Sequence, residues 1–186
     1  MLKSNQPSHD KSQNMTKPDI NDFICQNCEG EIKQSALYLA DYFKQMKMKP
    51  SWASSHRYAL THKGKRVGYF RVSSEDGLEN NYFDIEIYPV ETDWYVNYLE
   101  NKPQNEKAAF MDMFENAYLK HCKGCTKCSP GKDMIIGGKE YKNICKYGTK
   151  TIVNPNEKHI QFIKALVDLR REYIKHTFNS SPLHIL

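Results

Sequence analysis

The 186-residue sequence lacks the short motifs that indicate a particular reaction. It contains no nucleophile elbow, phosphate-binding loop, metalloprotease helix or dinucleotide fingerprint. No apolar run approaches the roughly 20 residues that a membrane-spanning helix needs. The first twenty residues are polar and lack the apolar stretch of a secretion signal. We therefore expect a cytoplasmic protein without a membrane partner, and the sequence assigns no catalytic residue.

Six cysteines are the most informative residues that the sequence does contain. Cytosolic thiols stay reduced, so clustered cysteines there are metal ligands more often than disulfides. Three cysteines occur at three-residue spacing and a fourth follows after a loop: Cys122, Cys125, Cys128 and Cys145. These four can surround one tetrahedral ion, and zinc bound by four thiolates would form a closed structural site. The same spacing also suits a four-iron (4Fe-4S) cluster, which is the alternative cofactor.

The positive charge of the chain is concentrated around these cysteines. The net charge is +5, and residues 118–150 hold eight lysines against one aspartate and one glutamate, a local charge of +6. Lysines near thiols favour the thiolate form that binds metal. We expect the lysines to offset a negative metal centre. A nucleic-acid surface is the alternative, which the absence of arginine and the scarcity of interleaved aromatic residues disfavour.

A second cysteine pair, Cys25 and Cys28, precedes a predicted helix. A helix dipole would lower a thiol pKa there, as in thioredoxin-type redox pairs. However, no long apolar strand precedes the pair, and no strand follows that would close a βαβ unit. Three interpretations stay open: a reactive redox pair, a contribution to a metal shell with later cysteines, or two unrelated surface thiols.

The spacing of apolar residues predicts an alternation of helical and extended segments. Helical spacing predicts three helices, at residues 31–48, 106–121 and 155–176. Period-two alternation predicts an antiparallel meander between residues 52 and 90, with a hairpin turn at Lys63-Gly64. Short strands are predicted at residues 134–136 and 151–153. Residues 92–101 fit either a strand or a helix.

These elements predict one α+β domain, in which a small antiparallel sheet packs with three helices and carries a cysteine-rich metal loop. The predicted domain spans residues 22–176 and the metal loop spans residues 121–146. Residues 1–21 are rich in Ser, Asn, Gln, Lys and Pro, so we expect a disordered tail. Residues 177–186 are expected to form a loose C-terminal tail.

Aromatic residues concentrate on and beside the predicted meander. Amphipathic rings of this kind could line a cleft for a flat, apolar ligand. The predicted cleft consists of Trp52, Tyr69, Glu86, Tyr88 and Trp94, with Glu86 or Arg71 as the polar contact. The alternative is that the rings close the core. Rings of a cleft would be partly exposed and would converge on one concavity, whereas core rings would be buried and scattered.

Two resemblances accompany these patterns. Trp52, the Tyr- and Lys-rich hairpin, the strand ending at Tyr88-Pro89 and a late strand followed by a helix resemble the gyrase-inhibitor-like effector-binding domains, over roughly residues 50–175. This resemblance implies a small-molecule ligand. The segment from Cys122 to Gly131, with Gly137-Gly138-Lys139, Cys145 and Asn154-Pro155, looks like uncharacterised bacterial α+β proteins with a cysteine-rich C-terminal half. That second resemblance implies no particular activity.

The sequence as a whole predicts a zinc-stabilised binding or regulatory module, with an aromatic cleft for a small-molecule ligand. One alternative is a redox or electron-transfer protein with a four-iron cluster or a reactive Cys25/Cys28 pair. Another is a nucleic-acid-associated factor that uses the lysine-rich loop.

Overall fold

The computed structural model describes residues 17–54, 57–73, 82–124, 130–145 and 148–179. The helices within these residues are α1 (Ile20–Asn27), α2 (Gly30–Gln45), α3 (Thr92–Glu100), α4 (Gln104–Met113), which continues into a π-helical turn (Phe114–Tyr118), and α5 (Glu157–Asn179). The strands are β1 (Lys49–Ser54), β2 (Arg57–His62), β3 (Lys65–Ser73), β4 (Tyr82–Ile87), β5 (Lys132–Ile136), β6 (Lys139–Ile144) and β7 (Ile152–Val153). The predicted α+β class is confirmed.

The larger sheet is antiparallel and has the strand order β1-β2-β3-β4-β7, while β5 and β6 form a separate hairpin. The predicted hairpin turn between β2 and β3 is confirmed. Lys63 and Gly64 both have positive φ, 48° and 74°. Two central residues with positive φ are what the favoured two-residue hairpin turn requires. The meander therefore has two local causes: a turn whose residues favour a hairpin, and strands that carry apolar side chains on one face.

One face of the larger sheet is buried beneath helices. Tyr58, Phe70 and Ile85 are aligned across β2, β3 and β4, so their side chains share a face. Phe43 of α2 packs against the edge of Phe70, with 6.4 Å between ring centroids. The neighbouring residues along each strand point to the other face. This division of the sheet decides where the predicted site residues lie.

The described chain differs from the predicted boundaries at the two ends. Ile20 and Asn21 were assigned to the disordered tail, but they begin α1, whose first turn is capped by Asp19. The Asp19 carboxylate accepts a hydrogen bond from the Asn21 amide at 2.8 Å, and Ile24 is fully buried. Residues 1–16 lie outside the described residues. At the other end α5 continues to Asn179, three residues beyond the predicted domain.

Residues 92–101, which fitted either a strand or a helix, contain α3. The sequence patterns also missed β1 and β6. None of the helices in the described ranges has the length and apolar character needed to span a bilayer.

Candidate metal centre and adjoining cavity

The chain segments that carry Cys122 and Cys145 pair with each other. The Cys122 amide donates a hydrogen bond to the Asn143 carbonyl at 2.8 Å. The Cys145 amide donates to the Lys120 carbonyl, also at 2.8 Å. Two of the four predicted metal ligands therefore belong to one short antiparallel ladder, although they are separated by more than twenty positions in the sequence.

The geometry of this ladder places the two cysteine side chains on the same side. His121 and Ile144 are directly opposite each other in an antiparallel bridge. Because side chains alternate between the two faces of extended chain, Cys122 and Cys145 both lie on the face opposite to that of His121 and Ile144. Ile144 is buried in the core, whereas both cysteines are partly exposed.

Gly131 brings the far end of the cysteine segment back to Cys122. A Cβ added to Gly131 would lie 2.8 Å from Cys122 Cβ and 2.6 Å from the Asn143 carbonyl carbon. These distances are too short for any side chain, so only glycine fits this approach. Cys125 and Cys128 fall in the stretch 125–129, outside the described residues. The described chain thus passes Cys122 before that stretch and returns to Cys122 after it.

Asn143 holds this arrangement together, and the sequence patterns did not single it out. Its Oδ1 accepts from the Gly131 amide at 2.9 Å, and its Nδ2 donates to the Cys122 carbonyl at 3.2 Å. Its own amide donates to Asp133 Oδ1 at 2.8 Å. Asn143 has φ of 55°, a left-handed conformation that asparagine adopts more readily than most residues. No local motif marks it, because its partners are 10 to 21 positions away in the sequence.

The predicted four-cysteine site stays a prediction. Within the described ranges, no three His, Cys, Asp or Glu side chains come together as a metal shell. Only Cys122 and Cys145 of the four proposed ligands belong to those ranges. What the fold supplies is a backbone frame, closed by Gly131 and Asn143, that holds these two thiols on one side.

In the other cysteine pair, Cys28 lies in an environment that disfavours thiolate. Cys25 is exposed on α1, and Cys28 is buried directly after the last residue of α1. Burial raises the pKa of the Cys28 thiol to about 11, and nearby Lys33 opposes this only in part. The expected lowering of the pKa is therefore wrong for Cys28. The sequence patterns missed α1, whose C-terminal end carries partial negative charge.

The predicted aromatic cleft does not form, because its members lie on different faces of the sheet. Trp52 is aligned with Tyr58 and shares the helix-covered face, where its ring contacts Tyr58 at 5.3 Å and Phe23 of α1 at 5.6 Å. Tyr69 and Glu86 are aligned with each other on the opposite face. Trp52 therefore cannot share a concavity with Tyr69 and Glu86.

Of the remaining members, Tyr69, Glu86 and Tyr88 lie together on the opposite face, whereas Trp94 lies elsewhere. Tyr88 meets the edge of Tyr69, with 5.9 Å between ring centroids. The Arg57 guanidinium stacks over the Tyr69 ring at 3.6 Å. Trp94 lies on α3 and packs against Tyr173 of α5 at 5.6 Å. The five residues thus occupy several surroundings, and the structure does not bring them together around one ligand.

A cavity of about 420 Å³ lies instead beside Cys145. Its walls come from the start of α3, the π-helical turn, the β5–β6 hairpin, the chain that precedes β7 and Tyr173 of α5. The apolar part of its lining includes Val90, Phe114, Leu119, Met134 and Ile144. Sequence patterns could not indicate this cavity, because five distant stretches of chain contribute to it.

The hydroxyl groups at the floor of the cavity are bonded within the protein. Tyr118 Oη donates to the Ile87 carbonyl at 2.9 Å, and Thr149 Oγ1 donates to the same carbonyl at 3.2 Å. Tyr95 Oη accepts from the Val90 amide at 3.2 Å. Burial raises the pKa of Tyr95 and of Tyr118. Both phenols are therefore neutral near pH 7, so they add no charge to the lining of the cavity.

The π-helical turn shapes one wall of this cavity. The Leu119 amide donates to the Phe114 carbonyl, five residues earlier, at 2.8 Å. Glu115 in the same turn accepts from Tyr141 Oη at 2.6 Å and pairs with Lys139, which ties the turn to β6. These two donors lower the pKa of Glu115. Single π-helical turns within α-helices are frequent at functional sites.

Comparison with protein-family models found no match to this chain, and comparisons with curated proteins and with solved structures found none either.

Proposed function

We propose that this protein is a zinc-stabilised binding module whose ligand site is the cavity beside Cys145. The observation that carries the proposal is that Cys145, a predicted metal ligand, lines the cavity together with Lys120, Gly148 and Thr149. Structural zinc contributes folding free energy directly. Metal binding at Cys145 would therefore stabilise one wall of the ligand site.

Three features support zinc at the four cysteines. Cys122 and Cys145 share one side of a short ladder, and the close approach of Gly131 returns the chain to Cys122. In the sequence, Cys125 is three residues from Cys122, and Cys128 is three residues from Gly131. A shell of four thiolates leaves no open position for a substrate, which suits a structural role.

The cavity has the properties of a small-molecule site. Ligand sites are usually clefts of about 300 to 1,000 Å³ with mostly apolar walls and a few polar groups. The cavity here measures about 420 Å³ and is lined by apolar and aromatic side chains, with charged groups from Glu91, Lys120 and Lys132. This place for the ligand replaces the predicted aromatic cleft on the meander.

Metal analysis and one matched pair of variants test the proposal. Protein purified without oxygen should contain one zinc per chain. Cys145→Ser should lose zinc and shift the NMR signal of the Met134 methyl group, since Met134 lines the same cavity. Cys25→Ser is the control, because Cys25 lies on α1 and is exposed. It should keep both zinc and the Met134 signal.

Two results would contradict this proposal. A folded protein without metal, in which Cys145→Ser leaves the Met134 signal unchanged, would remove the link between metal and cavity. Iron with visible charge-transfer absorption would indicate a cluster in place of zinc.

A further inference from the structure

We infer that the cavity binds a carboxylate anion with a flat, apolar body, an inference that rests on the proposed ligand site. Lys120 and Lys132 both line the cavity. Neither lysine forms an ion pair within the part of the chain that the structure describes. Two lysines without an ion pair among the described residues therefore line a cavity whose other walls are mostly apolar or aromatic.

Other lysines of the same segment are engaged with protein groups. Lys139 pairs with Glu115, and the Lys142 ammonium lies 3.6 Å from Glu140. The Lys150 ammonium donates to the Asn116 carbonyl at 3.1 Å. Lys120 and Lys132 differ from Lys139, Lys142 and Lys150, because no carboxylate or carbonyl group of the described residues is paired with their ammonium groups. A bound anion would provide one.

The position of Lys120 shows that one of these charges lies close to the predicted metal ligand. A Cβ added to Gly148 would lie 3.6 Å from Lys120 Nζ and 3.7 Å from Cys145 Sγ. Four thiolates on a divalent ion carry a net negative charge. The ammonium group of Lys120 would therefore be attracted to the metal centre and would partly offset that charge. Lys132 lies on β5, at another part of the lining. A ligand carboxylate can therefore interact with Lys132 even where Lys120 partly compensates the metal centre.

One carboxylate of the protein also borders the cavity. Glu91 accepts a hydrogen bond from Tyr173 Oη at 3.3 Å. Apart from Cys145, whose thiolate is counted with the metal centre, the charged residues of the lining are Glu91, Lys120 and Lys132, which sum to +1. This balance favours a monoanion. It also disfavours a cation, because the positive charges of both lysines would repel it.

The apolar floor defines the other part of the ligand. Tyr95 and Tyr118 line the cavity and use their hydroxyl groups for bonds within the protein. Phe114 and Met134 add further apolar surface. Rings and thioether sulfur pack well against a flat aromatic group. The expected ligand thus combines an aromatic body of one or two rings with one carboxylate.

A pair of probes that differ in charge tests this inference. 2-Naphthoate and 2-naphthamide have nearly the same size and shape, but only the first is an anion. Each is titrated into the full-length, zinc-loaded protein labelled with 13C at its methionine methyl groups. The Met134 signal, assigned with Met134→Leu, reports occupancy of the cavity. We expect 2-naphthoate to bind at least about fivefold more tightly than 2-naphthamide, a typical contribution of partly exposed ion pairs.

Variants of the lysines identify the source of this preference. Lys120→Gln combined with Lys132→Gln should lower the affinity for 2-naphthoate to that for 2-naphthamide and leave the amide unaffected. Lys142→Gln removes a positive charge from β6 at a residue that does not line the cavity. This matched control should retain the preference for the anion.

The outcomes separate this inference from the proposed function. Equal binding of both probes, unaffected by the lysine variants, would overturn the anion inference and leave the cavity as a ligand site. If neither probe shifts the Met134 signal, the cavity is not a site for flat apolar ligands, and the proposed ligand site fails with it.

Discussion

Asn143→Ala would remove the residue that connects Cys122 with Gly131 and the β5–β6 hairpin. The substitution deletes two side-chain hydrogen bonds, to the Gly131 amide and to the Cys122 carbonyl. Each is worth about 0.5 to 1 kcal/mol, at the lower end because Asn143 is exposed. Alanine at φ of 55° adds about 1 kcal/mol, since a left-handed conformation suits asparagine better.

The expected loss of stability is therefore about 2 to 3 kcal/mol. For a protein of this size, 1 kcal/mol corresponds to a decrease in Tm of about 2 to 4 °C. Thermal unfolding followed by circular dichroism should accordingly show a Tm lower by about 4 to 12 °C. Competition with a chromophoric chelator should show weaker zinc binding, because Cys122 is no longer held against Gly131.

Two further substitutions separate the hydrogen bonds from the backbone conformation. Asn143→Gly accepts the positive φ but loses both bonds, so it should cost less than alanine. Asn143→Asp keeps an acceptor for the Gly131 amide and loses only the donor to Cys122. If Asn143→Ala melts within about 1 °C of the natural protein and binds zinc equally well, the assigned role of Asn143 is wrong.

Two other predictions concern the sheet. Gly68→Ala would place a Cβ 2.0 Å from the Glu86 carbonyl oxygen on β4, so β3 and β4 would have to separate. Urea unfolding should show that the free energy of unfolding is lower by about 3 kcal/mol. An unchanged midpoint of unfolding would contradict the register of β3 and β4. His62 is buried, and neither ring nitrogen has a hydrogen-bond partner among the described residues. Burial lowers its pKa from 6.5, so the unfolded state binds the proton more readily and stability should decrease as pH falls through about 6.5. The free energy of unfolding of His62→Phe should decrease less between pH 8 and pH 5.5, and an equal decrease in both proteins would refute this assignment.

The sequence predicted strand β4 well because its apolar residues occupy every second position. Phe83, Ile85 and Ile87 alternate with polar residues on β4, and this alternation is visible without any partner strand. Strand β6 gave no such signal. Its two buried residues, Tyr141 and Ile144, are three positions apart, and Asn143 between them has a left-handed conformation that breaks the period of two.

The site was predicted in part for a similar physical reason. Ligand spacing is a local property, so the cysteine segment was visible in the sequence. The prediction that Trp52 and Tyr69 line one cleft is wrong, because they lie on opposite faces of the sheet. The register between neighbouring strands decides the face of each residue, and the sequence alone does not reveal this register. The cavity depends on packing between Val90, Phe114 and Met134, which lie far apart in the chain. No local pattern reports such packing.

X-ray absorption at the zinc edge, together with metal content per chain, tests the central claim most directly. We predict one zinc per chain surrounded by four sulfur atoms at about 2.3 Å, which the four thiolates of Cys122, Cys125, Cys128 and Cys145 would supply. Nitrogen or oxygen atoms in the first shell, iron in place of zinc, or a folded protein that contains no metal would contradict it.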